Sequence, residues 1–103
     1  MTSPLQRSKK LMESINHTTV AIVERWNPWA KIRQDLFGII DLLGVNSDGT
    51  WAVQVTTLGH MKDHRDKMQA SPMLEKLKKA GWVVELHGWR KLKAGWAVNR
   101  EVL

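Results

Sequence analysis

Leu36 to Thr57 reads LFGIIDLLGVNSDGTWAVQVTT, and this stretch decides the fold. Leu36–Val45 is an apolar run broken by one charge, Asp41, which predicts a buried strand. Asn46-Ser47-Asp48-Gly49 supplies turn residues, with Gly49 free to take a positive φ, and Thr50–Thr57 is the return strand. Side chains alternate along a strand, so Ile39, Asp41 and Leu43 share one face of the first strand. On the second, Ala52, Gln54 and Thr56 share a face opposite Trp51, Val53 and Val55. Pairing about the turn places Asp41 about a residue beyond Val55, close to Gln54 and Thr56. A carboxylate, an amide and a hydroxyl thus interrupt two apolar strands at neighbouring positions. A buried, unpaired carboxylate is costly, so Asp41 requires a cation or strong donors. Oxygen ligands of this kind suit a hard divalent ion such as magnesium. A backbone turn, or an ion pair with Arg33, would satisfy the same carboxylate.

Working outward, Ser3-Pro4 starts a helix whose apolar stripe is Leu5, Leu11, Met12 and Ile15, ending near Asn16. Thr18–Trp26 is β-branched and predicts a strand, which Asn27-Pro28 breaks. Downstream, His60–Ala70 has helical spacing, and Ser71-Pro72 restarts a helix that runs to Ala80 and stops at Gly81. Trp82–Leu86 is a fourth strand and Gly95–Val102 a fifth, at the edge. The order α-β-β-β-α-β, with antiparallel strands followed by a crossover helix, indicates an α/β or α+β sandwich with a mixed central sheet flanked by helices.

Composition narrows the function. The 103 residues fit a single domain, 1–103. With no cysteine, disulfide scaffolds, zinc fingers, iron–sulfur sites and thiol nucleophiles are excluded. No apolar run approaches the roughly 20 residues that cross a bilayer, and MTSPLQRSKK offers no signal-peptide core. A cytoplasmic location is expected, with no membrane partner. Lys and Arg total 16 against 10 acids, a net charge of +6. Residues 62–103 hold ten basic and five acidic side chains, so most of the excess lies there. Such a balance fits a polyanion partner or ordinary solubility.

The run Arg33-Gln34-Asp35-Leu36-Phe37-Gly38-Ile39-Ile40-Asp41 resembles the Gly-x-x-Asp segment of archaeal Holliday junction resolvases. Twelve residues separate Asp41 from Gln54-Val55-Thr56, where those enzymes carry Glu-x-Lys. The element order is similar to the αβββαβ core of the PD-(D/E)xK, or restriction-endonuclease-like, superfamily. VERWNPWAKIRQDLFGIIDLLGV, VQVTT and ELHGWRK look like a group of small phage and bacterial proteins related to it, over roughly residues 18–103. The resemblance implies a DNA endonuclease dependent on Mg²⁺ or Mn²⁺, structure-selective in the manner of a resolvase, acting as a homodimer in a bacterial or phage-infected cell. In such nucleases the aspartate and glutamate hold metal, and the lysine positions or activates the attacking water. Carried over, Asp41 is the metal-binding aspartate, with Gln54 and the Val55 carbonyl as further ligands.

Two departures stand out. Gln54 keeps a ligand oxygen but loses a charge, and Thr56 brings no cation. Both also fit a second reading, a DNA-binding protein on a nuclease fold with weakened or lost catalysis. Some members of the superfamily supply the lysine from the following helix, which here offers Lys62, Arg65 and Lys67, with Lys67 first. For the additional acid, Glu24 ranks ahead of Glu13, which an i,i+4 pair with Lys9 explains equally well. Asp35 shares the face of Asp41 if the strand is continuous, as a second ligand or a partner for Arg33. His60 and His64 have the i,i+4 spacing of a two-His zinc site, without a third ligand at a recognised offset. DNA contacts are expected from Arg25, Lys31 and Arg33 before the second strand. Others fall to His60, Lys62, Arg65, Lys67, Arg90, Lys91 and Lys93.

Overall fold

A computed structural model describes residues 2–103. The chain forms helix α1 (Pro4–Glu13), strand β1 (Thr19–Ile22) and a hairpin of β2 (Arg25–Asn27) and β3 (Ile32–Gln34). Strands β4 (Leu42–Asn46) and β5 (Gly49–Thr57) follow, then a 3₁₀ turn (Leu58–His60) and helices α2 (Met61–Ala70) and α3 (Pro72–Lys79). Strands β6 (Val83–Leu92) and β7 (Gly95–Val102) complete it. The main sheet has the order β1-β4-β5-β6-β7, with β5 and β6 parallel and every other pair antiparallel. Parallel neighbours need a crossover, and α2 with α3 supplies it. The result is an α/β fold with a mixed five-stranded sheet flanked by helices.

Alternation along β5 sorts the core as the sequence predicts. Trp51 and Val53 pack with Leu42 against Met12 of α1. Ala52 faces the other way, with Val84 and Leu86, against Met61, Met68, Leu74 and Leu77 of the crossover helices. Local signals hold as well. Ser3 Oγ accepts from the Gln6 N–H (3.2 Å) and Ser71 Oγ from the Met73 N–H (3.2 Å), so both serines cap as expected. Gly49, with φ 126°, closes the β4–β5 hairpin opposite Asn46.

The boundaries need four corrections. Helix α1 stops at Glu13, because Asn16 and His17 turn to φ 49° and 53°. The first strand ends at Ile22, since its pairing partner β4 begins at Leu42. Leu36–Val45 is not one strand. The Leu36 N–H donates to the Ile40 carbonyl (2.8 Å), and Phe37 and Gly38 adopt φ 55° and 77°. The apolar run therefore buries Ile39 and Ile40 through a tight turn, and alternation does not govern Asp41. Finally, β6 runs on to Leu92, because pairing with β7 from Glu85↔Val102 to Leu92↔Gly95 extends it past Leu86.

Gly88 on β6 makes room for Met61. A Cβ at this position would collide with the Met61 Sδ and Cγ, and Met61 is itself buried in the core. Gly88→Ala is therefore expected to destabilise by about 1–3 kcal/mol through overpacking, read as a lower urea midpoint with an unchanged slope.

On the α1 side, a chain of polar groups crosses the core. The Trp89 Nε1–H donates to Ser8 Oγ (2.8 Å), whose hydroxyl lies 2.9 Å from His87 Nδ1. His87 Nε2 lies 3.1 Å from Glu85 Oε1, and Arg100 donates to both Glu85 oxygens at 3.1 and 3.3 Å. One tautomer satisfies every partner: the Ser8 O–H donates to Nδ1, and the Nε2–H donates to Glu85.

Candidate functional site

The site lies where β4 and β5 part. The Asp41 N–H still donates to the Val53 carbonyl (2.9 Å), continuing the ladder by one residue beyond Leu42↔Val53. Its side chain then turns back across β5. Oδ2 accepts from Gln54 Nε2 (2.7 Å) and from the Val55 N–H (2.9 Å). The carboxyl is thus anchored by two donors, and Arg33 is not one of them.

Two more acids meet it. The Val23 N–H donates to the Asp41 carbonyl (2.8 Å), which fixes Glu24 beside the bend. Glu24 precedes β2 and Asp35 follows β3, and the pairing Arg25↔Gln34 holds the two acids together at the root of the hairpin. Glu24, Asp35 and Asp41 each offer an oxygen, and these atoms lie within 4.8 Å of one another. Gln54 Nε2 also reaches Asp35 Oδ2 at 3.4 Å. The Gln54 Oε1 is buried and has no partner among the described residues. An amide that is 2% exposed rarely leaves its oxygen unpaired.

Positive charge approaches from two sides. Arg33 Nη1 lies 3.2 Å from Glu24 Oε1, and Lys67 Nζ from α2 lies 3.6 Å from Asp35 Oδ2. This does not balance the burial of Asp41. Its carboxyl is pushed up to about 8, by burial first and then by a proton shared with Asp35, against the lowering effect of the Val55 N–H. His64 on α2 is held below its ordinary value by burial and by Lys67. Its Nδ1 is also buried without a partner among the described residues. An open cleft of about 920 Å³ gives access past Glu24, Arg25, Arg33, Asp35, Phe37 and Lys67.

The residues singled out from the sequence divide clearly. Asp41, Gln54 and Glu24 converge, and Lys67 reaches the same cluster from α2. Val55 contributes its N–H. Because a strand residue's N–H and C=O point to the same edge, its carbonyl faces this side too. Thr56 follows Val55 on the same strand, and among the described residues no hydrogen bond joins its side chain to the cluster. Glu13 pairs with Lys9 on α1 (3.0 Å), away from the site. Asp35 joins the acids through the root of the hairpin rather than along a continuous strand, and Arg33 pairs with Glu24 instead.

Among the cations, Arg25 and Arg33 line the cleft, and Lys31 sits exposed in the hairpin turn. Arg90 and Lys91 are exposed on the outer half of β6, opposite Ala97 and Trp96, and His60 is exposed at the end of the 3₁₀ turn. Lys62 pairs with Asp66 (2.8 Å). Arg65 is engaged elsewhere: its Nε and Nη2 clamp Glu101 at 2.7–2.9 Å and tie α2 to β7. That fork is a structural contact and leaves little of the guanidinium for a phosphate.

Sequence reading overlooked the β2–β3 hairpin and the Ser8–His87–Glu85 chain. The latter has the residue types of an acyl-transfer triad. Ser8 and His87 are fully buried, however, so no substrate can reach the hydroxyl. No family model, curated protein or solved structure matches the chain.

Proposed function

We propose that the chain is a metal-dependent phosphodiesterase acting on DNA, on a restriction-endonuclease-like core. The observation that carries this reading is the meeting of three carboxylates within 4.8 Å, two of them bridged by the Gln54 amide, behind a cleft that Glu24, Asp35, Arg25, Arg33 and Lys67 line. An all-oxygen donor set fits Mg²⁺ or Mn²⁺ better than zinc. The topology agrees with this reading: an antiparallel β1-β4-β5 meander is followed by a helical crossover to β6, parallel to β5.

When bound, the ion neutralises phosphate charge and acidifies a water molecule. The chain's own residues do the rest. Asp41, Glu24 and Asp35 would hold the ion. The Gln54 amide, which donates to Asp41 and Asp35 through Nε2, would present Oε1 instead after a half-turn of the amide. Val55's N–H keeps Asp41 in place. Lys67 stands in for the lysine missing at Thr56, carrying positive charge toward the scissile phosphate from α2. Arg25 and Arg33 anchor flanking phosphates without reading bases.

Incubation with single-stranded, duplex and four-way-junction DNA, in Mg²⁺, Mn²⁺ or EDTA, tests this reading directly. Cleavage in either metal that EDTA abolishes supports it. Salt-sensitive binding without cleavage in any metal would favour the second reading, a nuclease-fold DNA-binding protein, to which the Gln54 and Thr56 departures point. Gln54→Glu separates the ligand assignment from mere proximity. A fourth carboxylate adds repulsion in EDTA and attraction for the ion. The melting temperature should therefore fall in EDTA, while Mn²⁺ affinity rises tenfold or more, about 1.4 kcal/mol. Unchanged affinity by calorimetry would remove Gln54 from the site.

A further inference from the structure

The β2–β3 hairpin stands apart from the main sheet as its own two-stranded ribbon. Its sequence, RWNPWAKIRQ over 25–34, holds three cations and no acid. It also carries the most exposed aromatic surface of the described chain. Trp29 at the turn is 94% exposed and Trp26 is 57% exposed, with Ile32 beside them at 52%. The turn itself is built: Asn27 Oδ1 accepts from the Trp29 and Ala30 N–H groups at 3.0 and 3.1 Å. At the other end, the Glu24–Arg33 pair clamps the root. A shaped turn that offers an unpartnered indole between cations therefore stands on the two strands whose roots carry Glu24 and Asp35.

We propose that this hairpin is a base-stacking arm, and that the preferred substrate is DNA with unpaired bases next to the phosphate at the acidic cluster. The proposal rests on the phosphodiesterase reading for the phosphate and adds what selects the strand. Stacking needs an open π-face, which an intact duplex offers only at its ends and an unpaired base offers anywhere. Cations at Arg25 and Lys31 flank the indoles and complement the phosphates of the same strand. The reach also fits. Three strand residues span about 10 Å, so an unpaired base within a few nucleotides of the cluster can meet Trp29. A protein surface would pair less well with a tip that carries only positive charge, and a second copy of this chain would bring like charges together.

The test uses fluorescence anisotropy in EDTA with a labelled single-stranded oligonucleotide and a blunt duplex of equal length, for wild type, Trp29→Ala and Trp29→Phe. Trp29 is almost wholly exposed, so the variants keep the fold, which circular dichroism checks. Single-stranded binding at least tenfold tighter than duplex binding is expected, with quenching of tryptophan emission. Trp29→Ala should lose at least fivefold on the single strand and under twofold on the duplex, and Trp29→Phe should keep most of the affinity. Equal losses on both substrates, or none, would overturn the proposal. So would sedimentation showing a dimer that Trp29→Ala dissolves. The two readings fail separately. Metal-dependent cleavage with no effect of Trp29→Ala sinks the stacking arm alone. Trp29-dependent single-strand binding without cleavage in any metal sinks the phosphodiesterase alone.

Discussion

Asp41→Asn is expected to abolish metal-dependent cleavage, by a hundredfold or more, while making the metal-free protein more stable. The asparagine is nearly isosteric. Its Oδ1 can still accept from Gln54 Nε2 and the Val55 N–H, the two bonds that Asp41 makes through a single oxygen. The other atom becomes an N–H donor facing acids instead of a carboxylate oxygen. What disappears is the conflict among Asp41, Asp35 and Glu24, which together with burial pushes Asp41 up to about 8.

The sign follows from linkage. In the unfolded chain Asp41 ionises near 3.8, whereas in the fold it holds its proton to about 8. Folding therefore takes up a proton between these values, and stability falls as pH rises from about 4 to about 8. At neutral pH the penalty is on the order of 2–4 kcal/mol, which corresponds to a rise of roughly 8–16 °C in the melting temperature of Asp41→Asn. Scanning calorimetry in EDTA at pH 5 and pH 7.5 should show a larger gain at the higher pH. A lower melting temperature at pH 7.5, or cleavage near the wild-type rate, would sink the assignment. Added Mn²⁺ should stabilise wild type and leave the variant unmoved, because binding to the folded state alone raises its stability.

His87→Ala should be the most damaging single substitution outside the site. Its imidazole is fully buried and bridges Ser8 of α1 to Glu85 of β6. Truncation leaves a ring-sized cavity, a serine hydroxyl without its acceptor and a buried carboxylate short of a donor. The expected loss is about 3–5 kcal/mol, measured as a shift of the urea midpoint. A loss under about 1 kcal/mol would mean that the polar chain does not hold α1 to the sheet. Glu85 adds a pH signature opposite to that of Asp41. Burial alone would raise its carboxyl, but the hydrogen bonds from His87 and Arg100 outweigh that and hold it low. The stability it supplies is present above its unfolded value of 4.5 and is lost as pH falls through its lowered folded value. His87→Ala should therefore be less sensitive to acid than wild type.

Much of the architecture follows from local chemistry alone. Serine caps, Gly49 and Gly81 at turns, and the alternation of TWAVQVTT determine where helices and strands begin and which side of β5 each residue faces. These are short-range effects, set by backbone sterics and by period-two burial, so one strand at a time suffices to read them. The nearness of Asp41 to Gln54 was legible from the hairpin, but its register was not: pairing of Asn46 with Gly49 and of Leu42 with Val53 brings Asp41 level with Gln54, not a residue beyond Val55.

Tertiary structure decided the rest. Glu24 and Asp35 join the site only because the chain leaves the sheet after Ile22 and returns through an independent hairpin, a path that no periodicity encodes. Lys67 reaches Asp35 because α2 crosses this face of the sheet, and Arg65 is withdrawn to Glu101 by the same packing. The polar chain from Trp89 through Ser8 and His87 to Glu85 spans residues some 80 positions apart. Residue types and spacing determine which groups need partners; only the folded path of the chain determines which partners they find.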